Sequence, residues 1–384
     1  MRRIRFVRYL FATLLFFSLP TGFTLTASAT GAESVMPEGY EDLTELLPEE
    51  VEALLPDGLD SADPAEVGSA LTNLTSPQEL FSLIGRACGL ELGRSIRLLA
   101  KLCALLLIAA VFSILQRSIG SSAMAGMTRF CTTTAIFAAI IHTQMEHLQR
   151  VVAFFERITT LMGAMIPITG TVWAMGGNVS TATAGTGALY IFVSICEALC
   201  AKTVMPLCCF LTALALCCAL SPEAGMRGLA SATKKIYTFL LGITMTILLA
   251  SLSSQTALTA AADSTTARAA KTLSATVIPV VGGSVGETLR TVASGVQYLK
   301  SVVGIGGIIL VFLLTLPTLV ELLLTRLAFL LGGGVADLLG CEGESRLLSE
   351  LGTVWGCMIA AVSMTSVMFI LALTIFVRTT VAIL

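Results

Sequence analysis

Four charged residues border two of the long apolar runs in this chain. Glu197 and Lys202 bracket the end of one run, and Glu321 and Arg326 bracket the end of another. Charged side chains inside a bilayer are rare and usually functional, because they are costly to insert. The two pairs are therefore the candidate functional residues, although placement at the level of the lipid headgroups costs little and is favoured for both.

Other chemistry finds little support in the residue pattern. His142 and His147, the only histidines, are five positions apart and point about 140° from each other on a helix, so they do not form a chelating pair. Cys196 and Cys200 share a helix face, but no second ligand pair at a zinc-like spacing accompanies them. The chain has no phosphate-binding loop, no nucleophile elbow, no metalloprotease motif and no basic run typical of nucleic-acid binding. We therefore expect no enzyme activity, no cofactor, no bound metal and no nucleic-acid partner.

The apolar runs that position these charges are long enough to cross a membrane. Hydrophobic residues make up 55% of the 384 residues and charged residues only 12%, and the mean hydropathy is +0.88. A helix of about 20 apolar residues spans a bilayer. Stretches without Asp, Glu, Lys or Arg cover residues 158–195, 236–262, 302–320 and 354–377. The sequence predicts an all-α protein, a polytopic bundle of transmembrane helices embedded in the lipid bilayer.

The segment before the membrane domain has a different composition. Residues 1–29 resemble a signal peptide, with four arginines in the first eight positions, an apolar segment at 10–19 and Ala-Ser-Ala at 27–29. Cleavage is favoured over an uncleaved anchor. Residues 30–80 are acidic and dotted with prolines, which predicts an exported arm that is extended and partly helical. A solvated spacer is favoured over a docking arm for an exported partner.

Residues 81–97 mix basic and apolar positions at helical spacing, which predicts an amphipathic helix lying at the membrane surface. It leads into a membrane domain at 98–384, where Lys101 reaches the interface. Lys300 falls in an external loop, against the rule that basic loops are cytoplasmic. Seven or eight spans are expected, at about 98–115, 130–145, 158–175, 188–200, 203–220, 236–258, 302–324 and 354–377.

The pattern T-L-x4-I-P-x2-G occurs twice in the chain. One copy contains Pro167 and the other contains Pro279. A duplication with halves at 158–262 and 270–378 is favoured over chance similarity. Repeated halves with interrupted helices are common in transport folds. The repeat therefore favours broken or re-entrant segments in the membrane domain.

Two glycine-rich segments and two further prolines fit this interpretation. Gly282 and Gly283 lie in a segment, 278–286, that is typical of a re-entrant or surface hairpin. Residues 332–334 are three consecutive glycines and mark another break. Pro206 and Pro317 each interrupt an apolar run. The alternative for all the glycines is close helix packing and turns.

Three segments carry a resemblance to a known family. Residues 267–289 (ARAAKTLSATVIPVVGGSVGETL) resemble the signature of the stage III sporulation protein AE family. Residues 301–317 (SVVGIGGIILVFLLTLP) and 98–116 (LLAKLCALLLIAAVFSILQ) are similar to it as well. The resemblance extends from about Ser76 to Thr380, and the acidic arm does not match in detail.

This resemblance implies a multi-pass protein made in the mother cell and placed in its membrane around the forespore. It would be an integral-membrane subunit, a permease-like core or a scaffold, of the channel complex that links the two cells. Its partners would be the other membrane proteins of that complex, including a separate ATPase. No catalytic residues follow from the family. The alternative is an independent secondary transporter of a small solute that depends on Glu197 and Glu321, and a membrane-embedded enzyme has little support.

Overall fold

The structure is a computed structural model that describes residues 37–220 with short gaps, parts of 228–250, and residues 282–378. The predicted signal peptide at 1–29 lies outside the described residues, and so does Pro279. The second copy of the repeat motif therefore lies almost wholly outside the described residues, and the duplication stays a prediction.

Every described element is helical, which confirms the predicted all-α class. In chain order the helices are α1 (Asp42–Glu45), α2 (Pro64–Leu74), α3 (Pro77–Ile119), α4 (Ser122–Met175), α5 (Val179–Leu199), α6 (Met205–Leu220), α7 (Gly282–Leu338) and α8 (Glu342–Arg378). Residues 228–239 are helical as well.

Within the described chain, four helices are long and apolar enough to cross a membrane, at Gln78–Leu115, Gly126–Met175, Ala293–Leu338 and Glu342–Val377. Two shorter apolar helices lie at Ala182–Ala198 and Pro206–Leu220. The expected total of seven or eight spans stays a prediction.

Two of the long helices each contain segments that were predicted as separate helices. The surface helix at 81–97 and the first span are parts of the one helix α3, and the second and third predicted spans are joined in α4. The segment between those two spans carries charges, but its Val151 and Phe155 are buried in the core. The predicted break between these two spans was wrong. The segment is amphipathic, and its apolar side continues the packed face of the helix.

At two of the predicted proline breaks the helix is also continuous. Pro167 lies inside α4 and Pro317 lies inside α7, and both helices run on past them. Packing on neighbouring helices stabilises the helical conformation of these segments, which a proline by itself disfavours. The three consecutive glycines lie inside α7, where a Cβ on Gly332 would be 3.4 Å from both Leu102 and Leu348. This glycine serves close packing, which was the alternative.

Helices α7 and α8 form an antiparallel hairpin joined by a tight turn. Gly340 has φ +70°, a conformation that favours glycine, and its amide bonds to the carbonyl of Asp337. The amide of Cys341 reaches back to the carbonyl of Ala336, which completes a Schellman cap at the end of α7. The turn brings α8 back along α7.

This hairpin is the centre of the bundle. Of the described pairs, helices α7 and α8 make the most extensive contact, and the hydroxyls of Thr315 and Ser366 join them by a hydrogen bond of 2.8 Å. Helices α2, α3 and α4 pack on α7, α5 packs on α4, and α6 packs on α8. Nearly all the buried apolar side chains belong to one continuous core. The hairpin therefore positions any functional group that projects from its two helices.

The described part of the N-terminal arm folds back onto the bundle. Tyr40, Leu43 and Val67 are buried in the core, and the hydroxyl of Tyr298 on α7 donates to the carbonyl of Pro64 at 3.2 Å. Burial raises the pKa of the Tyr40 hydroxyl, so the docked phenol stays neutral. A solvated spacer was therefore wrong for this segment, because its few apolar residues anchor it to the helices.

Candidate functional site

Glu321 is a buried carboxylate on α7, and its side chain is only 10% exposed. Its Oε1 accepts a hydrogen bond from the Arg150 guanidinium at 2.9 Å and contacts Nδ1 of His147 at 2.5 Å. Both partners come from α4, in a distant part of the chain. The carboxylate therefore ties the middle of α7 to the middle of α4.

Helix α4 presents its polar side chains as a short stripe. Gln144, His147 and Arg150 follow one another at steps of three positions, which places neighbours on one helix face. Gln144 Oε1 accepts a hydrogen bond of 3.0 Å from Nε1 of Trp355 on α8. We call Glu321, His147, Arg150, Gln144 and Trp355 the Glu321 cluster. Through it, α4 contacts both helices of the central hairpin.

Aromatic rings enclose the imidazole of the Glu321 cluster. The His147 ring meets Trp355 edge to face with centroids 4.9 Å apart, and Phe329 of α7 stacks on Trp355 at 6.0 Å. Trp355 is fully buried, and His147 has only 12% of its side chain exposed. Low solvent access strengthens the electrostatic interactions inside such a site.

The negative charge of Glu321 is paired. Its carboxylate faces the guanidinium of Arg150, which carries the opposite charge. Arg94 of α3 also acts electrostatically on Glu321, and it is itself paired with Glu91 at 2.8 Å. A buried carboxylate that loses its cation is strongly destabilising, so this pairing is what makes the position tolerable.

The Glu321 cluster can hold helices together and can exchange a proton at His147. It contains no hydroxyl or thiol nucleophile beside a base. Among the residues that the structure describes, no group of three or more His, Cys, Asp or Glu is placed to hold a metal ion. The arrangement suits a structural lock or a proton-handling position better than hydrolysis or group transfer.

The structure does not bring together the charge pairs that the sequence suggested. Glu197 and Lys202 are both exposed, and no ion pair joins them within the described residues. Arg326 is half-buried, with its guanidinium beside Gly356. It lies five positions after Glu321, so the two side chains leave α7 about 140° apart. Among these charges, Glu321 is buried and is held by His147 and Arg150 of α4.

The proline and glycine candidates lie away from the Glu321 cluster. Pro167 is about five helical turns beyond Arg150 on α4. Gly282 and Gly283 form the first turn of α7, at the end of the helix opposite to its cap, and the hairpin predicted there is helical from Gly282 onward. Helix geometry places these glycines about 58 Å of helix rise from Glu321. They are not part of the same site.

His147 and Arg150 are site residues that the sequence alone did not identify. They share a helix face, but nothing in the sequence pairs that face with Glu321. Lys300 was placed in an external loop, but it lies on α7 and is 1% exposed, with its ammonium 5.6 Å from the centroid of Phe376. The loop assignment was wrong, because α7 begins well before the apolar run that the sequence shows.

Comparison with known proteins supplies a family for this bundle. The family model described as stage III sporulation protein AE matches residues 70–380. The chain is similar to the stage III sporulation protein AE of Bacillus subtilis (strain 168), with 22% identity over 302 residues that cover 79% of this chain and 76% of the relative. No solved structure matches the chain. The matched residues include the four long apolar helices from the start of α3 to the end of α8, and on this evidence the chain belongs to the stage III sporulation protein AE family.

Proposed function

We propose that this protein is an integral-membrane subunit of the sporulation channel complex that links mother cell and forespore, where it serves as a scaffold or a permease-like core. The family match over residues 70–380 is the observation that carries the proposal, because it covers helices α3 to α8. The bundle would lie in the mother-cell membrane around the forespore, with the N-terminal arm on the exported side. It would not act as an enzyme, and a separate ATPase of the complex would supply energy.

The burial of the central hairpin supports the scaffold role. In the most apolar part of α7, 89% of the residues are buried inside the protein. Helix α7 is contacted by α2, α3, α4 and α8, and the Glu321 cluster joins α4 to both helices of the hairpin. A helix enclosed in this way holds its neighbours in a fixed arrangement.

The length of the helices supports a role between membranes. Helix α4 has 54 residues and α7 has 57, so each rises by about 80 Å, against about 30 Å for the hydrocarbon core of a bilayer. Tilting alone does not absorb this excess. Parts of both helices would therefore extend beyond the lipid, where other subunits of the complex can contact them.

Purification of the channel complex from sporulating cells tests the proposal. A tag on another membrane subunit should recover this chain in constant proportion, and a tag on an unrelated multi-span protein should not. The variant Glu197→Gln, at an exposed position, should leave recovery unchanged. Absence of this chain from the purified complex would defeat the proposal.

The alternative, a secondary transporter of a small solute, gains support from one feature. Glu321 and His147 form a buried, protonatable pair, each within a candidate span. Proteoliposomes loaded with a pH-sensitive dye would show whether the protein moves protons. A flux that is lost in Glu321→Gln and kept in Glu197→Gln would favour the transporter, and the absence of any flux in the native protein would count against it.

A further inference from the structure

A groove of about 500 Å³ lies between α3 and α4, near the turn that joins them. Its walls are almost entirely apolar and include Leu105, Ala109 and Phe112 of α3 and Cys131 and Ala135 of α4. The volume falls within the range of about 300–1,000 Å³ typical of small-molecule sites. The groove is therefore large enough to hold a defined ligand.

Several side chains along the groove are exposed. Ile108, Phe112 and Met127 line it and are 56%, 51% and 73% exposed. In the most apolar part of α3 only 28% of the residues are buried. Since α3 is one of the four helices long and apolar enough to cross a membrane, an exposed apolar face of this kind suits contact with the hydrocarbon of the bilayer.

The lining of the groove suits an acyl chain. The stretch from Met127 to Ile136 runs beside it for about 14 Å, and the walls along this length are almost entirely apolar. The alkyl chain of a lipid can therefore lie along the groove without covering an unpaired polar group.

One end of the groove carries positive charge. Lys101 lies one turn before Leu105 on α3, is exposed, and donates from Nζ to the carbonyl of Ala139 at 3.1 Å. An ammonium has three donors, so this bond leaves two for another acceptor. Arg97 lies a further turn away and is exposed, and its Nε bonds the Gly93 carbonyl. Within the part of the chain that the structure describes, neither cation is paired with a carboxylate.

We propose that the groove between α3 and α4 binds one acyl chain of an anionic phospholipid, with the phosphate held by Lys101 and Arg97. The apolar walls fit the chain, and the two cations fit the headgroup. The site lies where an apolar span meets a basic helix surface, which is where a lipid phosphate sits in a bilayer. The bound lipid would fill the seam between the two helices.

Native mass spectrometry of the purified full-length protein in detergent tests this site. Dioleoyl phosphatidylglycerol and dioleoyl phosphatidylcholine are titrated separately, and the first dissociation constant is compared. The native protein should bind the glycerol lipid at least tenfold more tightly. The double variant Lys101→Gln, Arg97→Gln should weaken this binding about tenfold or more, since each cation near an anionic lipid surface strengthens binding about fivefold. Arg157→Gln, at an exposed cation elsewhere on α4, is the matched control and should bind as the native protein does.

A second variant tests the groove itself. Ala135 is exposed and lines the groove, so Ala135→Trp fills it without disturbing the core. It should weaken binding of both lipids at least fivefold, whereas Ala174→Trp, at an exposed alanine far along α4, should not. Each variant is first shown to elute as a single species.

Three results would overturn the proposal. The first is that Ala135→Trp binds lipid as Ala174→Trp does. The second is that free glycerol phosphate displaces the lipid as well as another lipid does, which would make the cations a phosphate site without the groove. The third is that light scattering shows a native dimer that Ala135→Trp converts to monomer, which would assign the groove to a second copy.

Discussion

Helices α3 and α7 are almost equally apolar and yet lie in opposite surroundings. Their most apolar segments have mean hydropathies of 2.6 and 2.4, but 28% of the residues are buried in α3 and 89% in α7. A high hydropathy therefore indicates that a segment avoids water, but it does not indicate whether lipid or protein covers the segment. The difference in burial between α3 and α7 follows from side-chain size, because small side chains let neighbouring helices approach closely.

Small residues explain why α7 is enclosed. A Cβ on Gly304, Gly306 or Gly307 would collide with a side chain of α8, of the N-terminal arm or of α4, respectively. Three glycines within about one turn thus admit all three neighbours to the backbone of α7. The outer face of α3 instead carries large exposed side chains such as Leu107 and Phe112. Small residues at helix contacts are the usual device for close packing in membranes.

Removal of the buried carboxylate should have the largest effect on the enclosed region. Glu321→Ala removes the acceptor shared by Arg150 and His147, and each hydrogen bond to a charged group contributes about 1.5–3 kcal/mol, so the expected loss is about 3–6 kcal/mol. Glu197→Ala removes an exposed carboxylate and should change stability by less than about 0.5 kcal/mol. Unfolding in mixed micelles, followed by tryptophan fluorescence, measures both. Equal effects of the two substitutions would mean that the Glu321 cluster does not hold the helices.

The next largest difference is expected between two Leu→Ala substitutions, one in the enclosed region and one on the outer face of α3. Leu373 on α8 is 1% exposed and packs at Gly307, so Leu373→Ala should cost about 2–5 kcal/mol. Leu107 on α3 is 57% exposed, and Leu107→Ala should cost less than about 0.5 kcal/mol. The same micelle unfolding assay applies. A large loss at Leu107 would show that protein, and not lipid, covers the outer face of α3.

The residue pattern was sufficient for the class of fold, because charge-free runs predict helices in a membrane. It named Glu321 as one of four charges at the ends of such runs, and it favoured a position at the lipid headgroups for all four. The burial of Glu321 was therefore not predicted. Its partners were not predictable, because the contact with His147 and Arg150 depends on how two helices from distant parts of the chain pack together. The sequence indicates that a charged group in an apolar run needs a partner, but only the tertiary structure shows which residue that partner is.

Two of the wrong predictions share one physical cause. Pro167 was expected to break its helix, and the N-terminal arm was expected to stay in solvent. In both cases local preference was outweighed by packing, since Pro167 lies in a helix held by its neighbours and Tyr40 of the arm fits against Gly306. Local signals of a few kcal/mol, such as about 3 kcal/mol for a proline in a helix, are within reach of a few buried side chains.

Glycines on α7 offer a smaller test of the same contrast. Gly304→Ala places a methyl group against Val377 and Phe376 and should cost about 1–3 kcal/mol. Gly334→Ala meets nothing within 4 Å and should stabilise the helix by up to about 1 kcal/mol, because alanine has the higher helix propensity. The opposite signs are the prediction, measured by unfolding of the two variants in parallel. Stabilisation by both would mean that α7 and α8 have room to move apart at this level.

The smallest expected effect is a partial recovery of stability when both partners of the hydrogen bond between Trp355 and Gln144 are replaced. Trp355→Phe keeps a ring against His147 and Phe329 but leaves the Gln144 carbonyl oxygen without its donor, which destabilises the protein. Adding Gln144→Leu removes the unpaired oxygen as well, so the double variant should regain about 1 kcal/mol relative to Trp355→Phe alone. Trp173, the other tryptophan, remains as the fluorescent probe in both. If the second substitution instead adds its own full cost, Gln144 does more in the Glu321 cluster than accept this one bond, and the polar stripe of α4 has a role beyond joining the helices.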